Sequence, residues 1–200
     1  MEAPQPSAAF GSLRPLLGLS GLFAVDSLGG GLIVQSVIAY WLHARFGAGP
    51  AILGPTFAGM SVLQALSYEV SGRLADRFGL IRTMIFTHLP SSFLLLLVPL
   101  SPSIAWAIAL LAIRQSISQM DIPARQAYVV SIVPASERAG AIAITGAVRG
   151  GAQAFGPLLA GAAIQSASFG IPFYAAGALK IAYDLSLYAG FRNHKGDHEA

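Results

Sequence analysis

Four ionisable residues lie deep inside long apolar runs: Asp26, Arg114, Arg149 and Lys180. Charge is expensive in a nonpolar medium, and a charged residue placed there marks a substrate, ion or proton pathway by default. Arg114 opens a series. Arg114, Ser118, Asp121 and Arg125 recur at i, i+4, i+7 and i+11, flanked by Gln115, Gln119 and Gln126. The result is one broad polar face on an otherwise apolar helix, which must turn toward protein or water. Thr145, Arg149 and Gln153 repeat the arrangement at four-residue steps. An aspartate in such a setting can exchange a proton, whereas arginine stays charged and binds an anion or a counter-charge. Asp26 set against Arg114 and Arg149 leaves a positive excess. Asp121, another part of the protein or an anionic substrate group must meet it. A buried structural ion-pair network explains the same residues without transport chemistry. Lys180 and Asp184, at i and i+4, can pair on one helix. His88 stands near the inner end of its helix, where a lone histidine reads first as an interface residue.

The elements that hold these groups follow from composition. Hydrophobic residues make up 54% of the 200-residue chain and charged residues 10%, with mean hydropathy +0.64. A soluble domain carries about 25% charged residues, so the composition indicates an integral membrane protein. Its apolar runs are continuous, not alternating, which indicates helices and not a barrel. A spanning helix needs about 20 residues, so six spans and short loops exhaust the chain. The first span is expected from Leu16 to Trp41, with Gly29-Gly30-Gly31 permitting close packing or a break. The second runs from Ile52 to Leu74, and the third from Thr83 to Leu100, bent at Pro90. The fourth runs from Ile104 to Val130. The fifth follows a loop in which Ser136 can cap it and ends near Ile164. The sixth runs from Ile171 to Phe191. Residues 1–15 and 192–200 are expected as cytoplasmic tails around a 16–191 membrane domain. The opening segment lacks the basic region of a cleaved leader.

Short cytoplasmic loops collect Lys and Arg. Arg14, Arg73, Arg77, Arg82, Arg125, Arg138, Arg192 and Lys195 fall on one side of this topology, and Arg45 on the other. That asymmetry places both termini in the cytoplasm. It also accounts for the net charge of +3 without any nucleic-acid partner.

The charged hinge between the second and third spans is Ser71 to Arg82. Its spacing, Gly72-x3-Asp76-Arg77-x-Gly79, resembles the loop signature of the major facilitator superfamily of transporters, found between the second and third helix of each six-helix half. Leu80 and Ile81 replace the two basic residues usual after the second glycine, and Arg82 follows later. This relaxed form resembles the second, C-terminal half of such a transporter more than the first. The run Asp121-Ile122-Pro123-Ala124-Arg125-Gln126 ahead of Glu137-Arg138 also looks like that family. In the fifth span, Ala152-x3-Gly156-Pro157-x2-Ala160-Gly161 is similar to the glycine-proline signature of the family's antiporters, with Ala152 and Ala160 in place of glycines. It points to export, although a small-residue packing face explains the same run.

The resemblance implies half of a major-facilitator-type fold, all α, with six transmembrane helices. It implies that spans one, two, four and five line a central cavity and that three and six lie outside, which makes Lys180 and Asp184 structural. It implies a conformational latch at Gly72, Asp76, Arg77 and Gly79, and helix packing at Gly156, Pro157 and Gly161. The expected pathway residues are Asp26, Arg114, Asp121, Arg149 and Gln153. The expected function is secondary, proton-coupled export of a small molecule across a bacterial plasma (inner) membrane, with a second six-helix half or a homodimer as partner. A non-transporting subunit or a gene fragment needing a partner half is the alternative. Enzyme classes fit poorly. No cysteine is present for thiolate or Cys-metal chemistry, and no Walker lysine motif or HExxH occurs. A serine protease built on Gly59-Met60-Ser61 needs a histidine on a later helix, and none lies between His88 and His194. No cofactor or metal is expected.

Overall fold

The computed structural model describes residues 9–166 and 169–191. Among these the chain forms eight α-helices, two 3-10 turns and no strand. The helices are α1 (Ala9–Leu32), α2 (Gln35–Phe46), α3 (Pro50–Phe78), α4 (Leu80–Leu97), α5 (Ile104–Ser118), α6 (Asp121–Ser131), α7 (Arg138–Ser166) and α8 (Ile171–Phe191). α1 with α2, and α5 with α6, occupy the places of the expected first and fourth spans. Two segments, Leu16–Phe46 and Leu80–Leu100, are long and apolar enough to cross a membrane by length and composition.

Both interrupted segments break for backbone reasons. Val34 is extended, at φ −60° and ψ 160°, and the Ile33 amide bonds to the Gly30 carbonyl at 3.2 Å, tightening the last turn of α1. The break therefore follows the glycine triplet. In the second case Pro123 has no amide for the Gln119 carbonyl. The Ile122 amide takes that carbonyl at 3.3 Å instead, and the Met120 amide turns back to Ile117 at 3.2 Å. The expected continuous helix from Ile104 to Val130 is thus two helices joined at Gln119-Met120.

The first helix begins at Ala9, so part of the segment expected as a tail is helical. Ala9 to Arg14 contains no proline, and nothing there forbids the hydrogen-bond ladder. Residues 1–8 and 192–200 lie outside the described residues. Ser136 falls inside the 3-10 turn Ala135–Glu137, ahead of α7.

The hinge at Ser71–Arg82 is much shorter than expected. α3 continues through Leu74, Ala75 and Arg77, all good helix formers, and only Gly79 separates it from α4. Gly79 sits at φ 85°, which a side chain disfavours. Gly72, Asp76 and Arg77 are therefore exposed residues on the last turns of α3. Among the described residues no ion pair reaches Asp76. The link from this region to its neighbours comes from buried Ser71, whose hydroxyl donates to the Met120 carbonyl at the α5–α6 break. At the other end, Gly47 takes the left-handed conformation at φ 70° after α2. Its amide bonds to the His43 carbonyl at 2.8 Å, and Pro50 opens α3. This is the usual glycine stop followed by a proline start.

α1 packs against α7 and α8, α4 against α8, α5 and α6, and α3 against α5. At the α1–α7 crossing, backbone meets backbone. A Cβ on Gly156 would collide with Gly31 and the Leu32 amide, and one on Gly31 would strike Gln153 and Gly156. The buried apolar residues form two clusters. One gathers around Trp41, Leu42, Leu95 and Phe173, the other around Phe23, Met84, Tyr128 and Tyr183. On α1, α4, α5–α6, α7 and α8, buried Asp26, His88, Arg114, Ser118, Asp121, Thr145 and Lys180 fall in sequence between the members of the two clusters. A polar layer therefore crosses the bundle between two apolar ones. Large apolar side chains remain exposed on α3 (Val62, Leu66) and α7 (Phe155, Leu158).

Candidate functional site

The polar layer centres on Asp26, one turn beyond Phe23 on α1 and 3% exposed. α8 sends Lys180, whose ammonium donates to Asp26 Oδ1 at 2.6 Å. α6 sends Arg125, which donates to Oδ2 at 3.3 Å. α4 brings His88 Nε2 to 3.3 Å from Oδ1. α7 brings the Arg149 guanidinium to 4.0 Å from Oδ2, with Arg149 Nε donating to the Ser27 hydroxyl at 2.9 Å. One carboxylate thus gathers basic groups from four other helices. Buried charge survives only with such pairing.

A second tier supports the first. Arg125 also meets Asp121 at 2.9 Å, one turn back on α6, and its guanidinium lies 5.4 Å from the Phe23 ring centre. His88 Nδ1 contacts both oxygens of fully buried Asp184, at 2.9 and 3.0 Å. Lys180 Nζ lies 3.4 Å from His88 Nε2. Asp26, Lys180, His88 and Asp184 therefore form one connected chain of polar contacts.

A cavity of about 420 Å³ opens against this cluster. Asp26, Arg114, Asp121, Arg149 and Gln153 all line it, so the structure brings all five expected pathway residues together. Gln64, Gln115 and Gln119 add an amide network, with Gln115 Nε2 donating to Gln64 Oε1 at 3.0 Å. Phe57, Met60 and Ile122 supply apolar surface.

Lys180 and Asp184 do not pair with each other as their spacing suggests. Each turns to a partner on another helix, and both belong to the central cluster. His88 is buried at its centre, not at an interface. Arg125 is 2% exposed and ion-paired, which removes it from the count of cytoplasmic loop charges. The signal for Arg125 lay in the i, i+4, i+7, i+11 stripe that it completes. For His88 it lay in Thr87, Ser91 and Ser92 beside it on α4, all buried.

Asp26, His88 and Asp121 place ligand atoms within 4.8 Å of one another, the spacing of a metal site. Lys180 and Arg125 already sit against the two carboxylates at 2.6 and 2.9 Å, and their charges oppose a divalent ion there. The donor set favours internal pairing over metal.

Residues 19–198 match the Major Facilitator Superfamily, and the chain belongs to that family. It is an integral membrane protein of that family or a piece of one. A relative is an uncharacterized membrane protein of Saccharomyces cerevisiae, 25% identical over 177 residues covering 88% of this chain. The chain spans 40% of that relative's length.

Proposed function

We propose that the chain is one six-helix half of a secondary active transporter that couples proton movement to export of a small molecule. It sits in a plasma membrane with both termini cytoplasmic. One observation carries the reading: a cavity large enough for a small solute abuts Asp26, a carboxylate bound by cationic side chains from other helices. Protonation of Asp26 would remove the shared counter-ion of Lys180 and Arg125 and let the helices that carry them re-pair. Export rests on the Gly156-Pro157 signature alone. The partner is a second six-helix half, from the same or another chain, seated on the apolar faces that α3 and α7 leave exposed. Asp76, at the end of α3, acts as the latch between conformations.

The test is solute-induced proton movement in proteoliposomes of the full-length protein, followed with a trapped pH dye across a solute panel. At least one solute should move protons with the wild type and none with Asp26→Asn. Solutes that bind without moving protons would favour a non-transporting membrane subunit.

A further inference from the structure

The charges around the cavity do not cancel residue by residue. Asp26 is taken by Lys180 and Arg125, Asp121 by Arg125 and Asp184 by His88. Arg149 is held by Ser27 and lies at the edge of Asp26. Arg114 is left over. It is 7% exposed, lines the cavity, and has no ion pair among the described residues. Its Nε has no hydrogen-bond acceptor among the described residues. A guanidinium has five donors in a planar fork, and burying it without acceptors is costly. The same cavity wall carries the Gln64–Gln115 amide pair, which suits hydroxyl or amide groups, and Met60 and Phe57, one and two turns before Gln64 on α3, add apolar surface.

We propose that Arg114 is an anion-binding residue and that the cavity takes a small organic monocarboxylate carrying hydroxyl or amide groups. The proposal rests on the transporter reading of this cavity and names its substrate class. One unpaired guanidinium matches one carboxylate, which fills the fork through two parallel hydrogen bonds. The amides of Gln64 and Gln115 receive the neutral polar groups, and the apolar wall covers the carbon skeleton. Arg114 and Arg149 together repel organic cations. A phosphate monoester is the competing anion, because Arg149 also shares an Asp26 already held by Lys180 and Arg125.

The experiment measures ligand-dependent thermal shifts of the full-length protein in detergent. The probes are small hydroxy- and amido-monocarboxylates such as gluconate, each beside its neutral alcohol or amide such as sorbitol, with choline and phosphate monoesters as further arms. The stabilising probes should be monocarboxylates, and their neutral partners should be silent. Arg114→Gln should weaken them by about 10- to 100-fold, the range for hydrogen bonds to a charged group, and Arg114→Lys should weaken them less. Arg114→Gln should leave the ligand-free melting temperature unchanged or raised, because the wild-type charge is unpaired. Neutral, cationic or phosphate probes dominating would overturn the proposal, as would unchanged carboxylate affinity in Arg114→Gln. A fall in the ligand-free melting temperature would show that the rest of the protein supplies the counter-charge. No carboxylate stabilising the wild type would mean the same. The readout is binding at equilibrium, so failure of transport alone leaves it standing.

Discussion

Lys180→Met removes the closest partner of the central carboxylate. At an effective dielectric of about 20, a charge pair at 2.6 Å attracts by roughly 6 kcal/mol and one at 3.3 Å by roughly 5. Arg125 therefore still supplies a little under half of that summed attraction at Asp26 after Lys180 is lost. Breaking one partner of a buried pair costs about 3–5 kcal/mol, and the remaining arginine places Lys180→Met near the lower end of that range. Asp26→Asn is also destabilising, because it leaves Lys180 and Arg125 without their shared counter-ion. In the double variant neither Lys180 nor the Asp26 charge remains, and Arg125 keeps Asp121 at 2.9 Å. The double should lose less than the two singles together, with a coupling of about 1–3 kcal/mol. The assay is thermal inactivation of the detergent-purified protein, compared as half-lives at one temperature because unfolding of such proteins is often irreversible. Strict additivity of the two substitutions would refute the pairing.

Other expectations follow from single contacts. Gly156→Val should destabilise the α1–α7 crossing by about 1–3 kcal/mol or more, seen as a lower melting temperature. Gly161→Ala, which meets nothing within 4 Å, should leave it unchanged. Asp76→Asn should leave expression and melting temperature intact, since the residue is exposed and has no ion pair among the described residues, yet lower solute-driven proton flux; full flux would end its latch role. For topology, Arg77→Cys should label from the cytoplasm and Ala44→Cys from outside, the chain having no other cysteine. Ala48 is fully buried and makes a poor probe. Labelling of position 77 only from outside would overturn the orientation.

Helix positions were legible because apolar runs of spanning length are a strong one-dimensional signal. The cavity lining was partly legible because charge inside such runs is rare: Asp26, Arg114, Asp121 and Arg149 all line it, as does Gln153. Pairing was less legible. The i, i+4 rule joins Lys180 to Asp184, but the rotation of α8 against α1 and α4 sends them to Asp26 and His88. That rotation is fixed by close approaches such as Gly29 against Ala176 and Lys180, which periodicity does not contain. Pro123 carried a readable signal for the α5–α6 break, since its missing amide frees a known carbonyl. Val34 carried none, because a β-branched residue in an apolar helix is ordinary. The hinge expected from charge is too long, because Leu74, Ala75 and Arg77 are helix formers and within it only Gly79 needs an unusual backbone.

The central claim is that the cavity beside Asp26 opens to water during a transport cycle. Ser118 lines it and is buried, with no hydrogen-bond partner for its hydroxyl among the described residues. Ser118→Cys in the full-length protein, in sealed oriented vesicles, can be challenged with a membrane-impermeant thiol reagent from each side. The account predicts reaction from at least one side, at a rate that changes when a pH gradient is imposed. A thiol that stays unreactive from both sides under every gradient, in folded protein, would contradict it and leave the charge cluster as a structural core.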